Sequence, residues 1–213
     1  MSIGGKETPA AAAPAPVIEH VATSLLPTRH GGFHIHVYRC PDDGIEHVAL
    51  VRGDVRGKER VLVRAHSECL TGDVFGSMRC DCGEQLDKAM ALIAEAGEGV
   101  IVYMRGHEGR GIGLGNKILA YALQDQGQDT VEANLALGLP VDTRDFQMAV
   151  SILGELGVKT VRLITNNPGK MRKLAEHGLH IVERIPVVTE RTPHNIAYLR
   201  AKQEKLGHFL DFN

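Results

Sequence analysis

The chain has 213 residues, a length that favours one domain, or two small ones, around a buried core. Hydrophobic residues at 43% beside charged residues at 23% fit a soluble globular protein and exclude a disordered or fibrous one. A formal net charge of −2 argues against a general nucleic-acid or membrane-surface binder, so an anionic ligand must meet a local cluster of positive charge.

Residues 1–16 are rich in Ala and Pro and lack the basic start and apolar centre of a secretory signal. They are expected to form a disordered tail before a single compact domain over 17–213. No apolar run reaches the roughly 18 residues of a membrane span. Four cysteines are too few for a disulfide scaffold of this length, which suits a reducing, cytoplasmic setting.

Strand-like alternation is expected over Phe33–Arg39, His47–Arg52 and Val61–Arg64, with turn residues at 41–44 and 53–58 that predict antiparallel hairpins. From Cys82 the pattern becomes helical, with Leu86, Ala89, Met90, Ile93 and Ala94 on one stripe and a stop at Gly97. A buried strand over Gly99–Met104 follows. Helices are then predicted over 116–126, 144–156, 171–177 and 195–206, with strands over 160–165 and 181–188. The order implies an α/β fold, a mixed β-sheet with packed helices behind a hairpin-rich N-terminal part.

Cys69, Cys80 and Cys82 form C-x10-C-x-C, and thiolates suit zinc because the borderline-soft ion accepts sulfur in tetrahedral geometry. Three ligands leave one position for water. Buried inert thiols, or a closed structural site completed by His66, are the alternatives. Glu68, beside Cys69, could move protons at such a site. The H-x-E pattern of His66 and Glu68 is that of zinc base deaminases, but the P-C-x-x-C that should follow is missing.

The glycine-rich stretch 106–115 lies between a strand and a helix, where backbone can approach an anion, although it is neither a dinucleotide fingerprint nor a P-loop. Arg64, Arg110 and Lys170 are candidate phosphate partners near strand ends, although each alone is more often a solvated surface charge. Asp142 or Thr143 could simply cap a helix, with Asp145 in its first turn.

Taken together, Arg64–Asp73, Arg79–Gly83, Gly106–Leu114, Ala122–Gly127, Asp129–Asn134, Asp142–Phe146 and Leu163–Pro168 closely resemble GTP cyclohydrolase II, the enzyme family that opens bacterial riboflavin biosynthesis. The resemblance covers roughly residues 20–210. It implies zinc at Cys69, Cys80 and Cys82, and GTP contacts from Arg64, Ala65, His66, Ser67, Glu68, Gln85, Glu108, Gly109, Arg110, Thr130, Thr165 and Lys170. Asp142 matches the family's proton acceptor, Arg144 its proposed nucleophile and Tyr121 a further active-site position. Ala65, Gly76 and Gly169 depart from residues common in the family, and none of these removes a reactive group. Little chain remains outside the match, so the companion domain of bifunctional members is not expected.

The implied reaction is a hydrolase's. GTP yields 2,5-diamino-6-ribosylamino-4(3H)-pyrimidinone 5′-phosphate, formate and pyrophosphate, with magnesium on the triphosphate and a homodimer as the assembly. Glu108 and Gln85 are candidates for reading the guanine edge. A guanidinium is normally a charge clamp, so Arg144 has two roles open to it, covalent capture of the α-phosphoryl group or stabilisation of its charge. Rival readings are a member that retains the formyl group, a zinc and GTP sensor without turnover, and a structural zinc protein on nucleic acid.

Overall fold

The computed structural model describes residues 18–210, and the expected tail over 1–16 lies outside the described residues. The chain opens with strands β1 (Glu19–Thr28), β2 (Gly31–Arg39), β3 (Glu46–Arg52) and β4 (Val61–Ser67). A short helix α1 (Leu70–Asp73), helix α2 (Cys82–Ala96) and strand β5 (Gly99–Met104) follow. A 3-10 turn at Glu108–Gly111 leads into α3 (Leu114–Gln124), α4 (Thr130–Ala136) and α5 (Gln147–Glu155). The chain continues through β6 (Val161–Ile164), α6 (Pro168–Glu176), β7 (Ile181–Ile185) and α7 (Ile196–Leu206).

Among the described residues seven strands make one sheet in the order β1-β2-β3-β5-β4-β6-β7. The β1, β2, β3 and β5 neighbours are antiparallel, while β4 runs parallel to both β5 and β6, and β6 parallel to β7. The mixed sheet agrees with the expected fold class.

The 41–44 turn does close a hairpin between β2 and β3. The 53–58 segment does not close one, because β4 lies beyond β5 and never pairs with β3. Its residues explain why. Val61 through His66 are all buried, as both faces of a parallel central strand must be. The linker instead docks on the α5–β6 turn, where Gly57 N donates to Gly157 O at 2.8 Å and Lys159 N to Lys58 O at 2.8 Å.

Alternation along β4 and β5 feeds two cores. Val61, Val63, Val100 and Val102 pack with Phe146, Ile152 and Leu153 on one side. Leu62 and Ile101 pack with Ala89, Ile93 and Ile164 on the other. Full burial of such a side chain stabilises the fold by about 1.5–3 kcal/mol. The period of two therefore sends Arg64 and His66 to the α2 side with Leu62, at the carboxyl end of the parallel strands. Ligands of open α/β sheets bind outside such strand ends.

Candidate active site

The cavity is built where β4, β5 and β6 end. Arg64 is 4% exposed. It donates from Nη1 to Ile164 O at 3.1 Å and from Nη2 to Gln85 Oε1 at 2.6 Å, while its buried Nε has no protein partner. Gln85 in turn donates from Nε2 to Asp81 at 2.6 Å, and Lys202 donates to the other Asp81 oxygen at 2.6 Å. Burial pushes the Asp81 carboxyl up, but the Lys202 ammonium outweighs it and holds the group below its usual range. Both ends of the Gln85 amide are thus committed within the protein.

His66 pairs with Asp73. Its Nε2 lies 3.1 Å from both Asp73 oxygens, and Asp73 also accepts from Cys69 N at 3.0 Å and the Tyr103 hydroxyl at 2.8 Å. Burial keeps the imidazole below its ordinary pKa. Among the described residues the metal-competent group is Cys69, Cys80 and Cys82, without a histidine.

The three Sγ atoms lie within 4.8 Å of one another, and Cys69 and Cys80 are 3.7 Å apart. Tetrahedral zinc with Zn–S bonds of about 2.3 Å places its sulfurs about 3.8 Å apart, so the donor set fits that ion. Gly72 is required beside it, because a Cβ there would stand 2.9 Å from Cys80 Sγ and 3.3 Å from Cys69 Sγ. Hydrogen bonds from Cys80 and Cys82 hold the Cys69 thiol far below its ordinary range, and the contact with Cys69 pushes Cys80 up to about 11. One thiolate forms readily here, and three call for a cation between them.

The glycine-rich stretch supplies the next wall. Arg110 takes a left-handed φ of 64°, and its buried Nη1 has no protein partner. Arg110 O accepts from Thr143 N at 3.1 Å, which docks this loop on the segment carrying Asp142 and Arg144. Gly109 and Arg110 line the cavity, whereas Glu108 does not. Its carboxylate accepts from Leu70 N at 2.7 Å and Lys117 Nζ at 2.5 Å, one bond on each oxygen.

Asp142 is not a helix cap, since α5 begins at Gln147 and Asp145 accepts from Gln147 N at 2.9 Å. Asp142 instead grips Arg144, accepting from Nε at 2.9 Å and Nη2 at 2.6 Å, and Arg144 Nη1 donates to Ser67 Oγ at 3.1 Å. Burial raises the Asp142 carboxyl and the Arg144 contact more than offsets it, so the group sits below its usual range.

On the far side, Thr165 is 1% and Lys170 6% exposed, and Lys170 Nζ donates to Ala65 O at 2.6 Å. Ala65 enters the site through that carbonyl. Asn167 caps α6 by accepting from Lys170 N, with Pro168 in its first turn. Burial, then the Arg64 and Arg144 charges, push the Lys170 ammonium well below its usual range, and burial with the Arg144 and Lys170 charges takes His107 down to about 3. Burial is the larger cause of both shifts, and the charge contributions beside it come from clustered cations that a polyanion would neutralise.

Ser67, Glu68, Tyr121 and Thr130 also face this cavity, and Glu68 accepts from Gly106 N at 2.8 Å. The lining residues that sequence reasoning missed include His107, Lys117, Asn134, Tyr198, Lys202 and His208. No motif singles out the residues of α7; only the fold brings them here.

Fold and site together define an α/β protein with a thiol cluster competent for a metal, beside a cationic cavity. The family model described as GTP cyclohydrolase II matches residues 19–186, and the chain belongs to that family. Riboflavin biosynthesis protein RibBA of Salinispora tropica is 58% identical over 91% of this chain and 48% of its own. The protein of the same name from Chlamydia muridarum is 57% identical over 92% and 46%. The chain spans about half the length of the curated relatives it matches. The crystal structure of RibBX, a two-domain 3,4-dihydroxy-2-butanone 4-phosphate synthase from A. baumannii, covers 79% of this chain and 40% of its own at 20% identity and a TM-score of 0.47.

Proposed function

We propose that the protein is a zinc-dependent GTP cyclohydrolase II, converting GTP to 2,5-diamino-6-ribosylamino-4(3H)-pyrimidinone 5′-phosphate, formate and pyrophosphate. The observation that carries this reading is one cavity bordered by Cys69, Cys80 and Cys82 and by the cations Arg64, Arg110, Arg144 and Lys170. Membership of the family supports the substrate.

In this reading Cys69, Cys80 and Cys82 hold zinc, which supplies Lewis acidity where the imidazole ring is hydrolysed. Arg110, with its unpartnered Nη1, and Lys170 bind phosphate oxygens. Arg144 would meet the α-phosphoryl group, where a guanidinium fixed by Asp142 and Ser67 could stabilise developing charge. Asp142 orients Arg144 and accepts the proton if that guanidinium attacks phosphorus. Glu68, which accepts from Gly106 N, would move protons at the ring. Magnesium would neutralise part of the triphosphate charge. The family reading also carries a homodimer and a cytoplasmic setting, the latter supported by four free cysteines.

Purified protein supplied with zinc, magnesium and GTP should release formate and pyrophosphate in equal amounts. Pyrophosphate without formate would leave a member that keeps the formyl group, and GTP binding without either product would leave a sensor. A covalent guanylyl adduct on Arg144, sought by mass spectrometry of a stalled reaction, would assign the nucleophilic role.

A further inference from the structure

Lys117 stands in the first turn of α3 and is 7% exposed. Its ammonium lies 3.1 Å from Cys69 Sγ, 2.8 Å from Thr71 Oγ1 and 2.5 Å from Glu108 Oε1. An ammonium has three N–H donors, so each already has an acceptor and none is left over for a substrate phosphate. Glu108 is engaged at both oxygens, because its second oxygen accepts from Leu70 N at 2.7 Å. Leu70 and Thr71 directly follow Cys69 in the chain. The ion pair therefore grips the turn that presents this cysteine by its backbone, its hydroxyl and its sulfur.

We propose that Lys117, held in place by Glu108, is a positioning residue for the Cys69 ligand, donating a charge-assisted N–H···S bond that tempers the electron donation of that sulfur to the metal. The proposal rests on the reading of Cys69, Cys80 and Cys82 as zinc ligands. Three thiolates around a dication leave a net negative charge, and a buried, uncompensated charge is costly. Lys117 offsets it at the sulfur itself. A plain structural ion pair between Lys117 and Glu108 would not need the 3.1 Å approach to Cys69. Groups that hydrogen-bond metal ligands orient them and tune the metal, and their loss typically weakens metal binding about 10–100-fold.

The test compares the full chain with Lys117→Met, with Lys117→Arg, and with Lys117→Met combined with Glu108→Gln. The double variant leaves no unpaired buried carboxylate and keeps an acceptor for Leu70 N–H, so it stays informative where the single variant folds poorly. Zinc affinity is read by competition with a chromophoric chelator, and ligand donation by the thiolate-to-cobalt charge-transfer band of the Co²⁺-loaded protein. Loss of the N–H···S bond should weaken zinc binding about 10–100-fold and move the band to longer wavelength, with Lys117→Arg recovering most of both. A folded double variant that binds zinc as tightly as the parent, with an unmoved band, overturns the proposal. A parent that binds neither metal overturns the zinc reading itself, a distinguishable failure.

Discussion

Arg144 meets Asp142 through two nitrogens and Ser67 through a third, so its guanidinium is fixed before any ligand arrives. Preorganised charge of this kind is worth most at a reacting centre, where removing one donor costs about 10²–10³ in rate. Arg144→Ala should therefore lower kcat by about that factor while the zinc content stays that of the parent, checked by pyrophosphate release and metal analysis on one preparation. Gly72 makes the complementary case for shape. A methyl group 2.9 Å from Cys80 Sγ must displace the thiol. Gly72→Ala should lose much of the thermal stabilisation that zinc confers, measured as the shift in Tm on adding metal; an undiminished shift would show that the turn yields freely. The cysteines were legible in the sequence because ligand chemistry needs sulfur at short spacing. The engagement of Glu108 was not, since a glutamate beside glycines looks the same whether it faces a ligand or a buried lysine.

At the scale of elements, α4 shows a signal that was present but unread. Asp129 accepts from Val131 N and Glu132 N, and Glu132 reaches back to Asp129 N, a complete capping box before Thr130. Loss of such a cap costs about 1 kcal/mol. Asp129→Ala should lower Tm by about 2–4 °C for a chain of this size. Because α4 brings Thr130 and Asn134 to the cavity, KM for GTP should rise more than kcat falls, which steady-state kinetics would resolve. Helix α7 is the opposite case. Its weak amphipathic pattern marks a helix but gives no hint that Lys202 reaches Asp81, between two of the metal-site cysteines. Both partners are buried, so Lys202→Met should cost about 3–5 kcal/mol in denaturant unfolding, with Asp81→Asn restoring part of it.

For the molecule as a whole, buried histidines set the acid side of stability. His107 and His208 are each held near 3, by burial first and then by neighbouring cations, and His66 is also lowered. In the unfolded chain they protonate near 6.5, so between these values the unfolded state binds more protons and stability falls as pH falls. Unfolding free energy should thus decline from pH 7 to pH 5, and His208→Asn should flatten the slope; a protein equally stable at both would refute this account.

The same scale explains where reading the sequence stopped. The α/β alternation from Cys82 onward was legible from periodicity, whereas the placement of β4 between β5 and β6 depends on pairing that no local pattern records. Nor did turn residues at 53–58 reveal that the linker docks on the α5–β6 turn.

The cavity is also assembled from distant parts of the chain. The cysteines lie within fourteen residues of one another, but Asp81 and Lys202 are 121 residues apart. During synthesis the thiols leave the ribosome long before their closing wall exists. A nascent chain can then capture metal early, while substrate binding waits for α7, so removal of α7 should leave a metal-loaded protein that cannot turn over GTP.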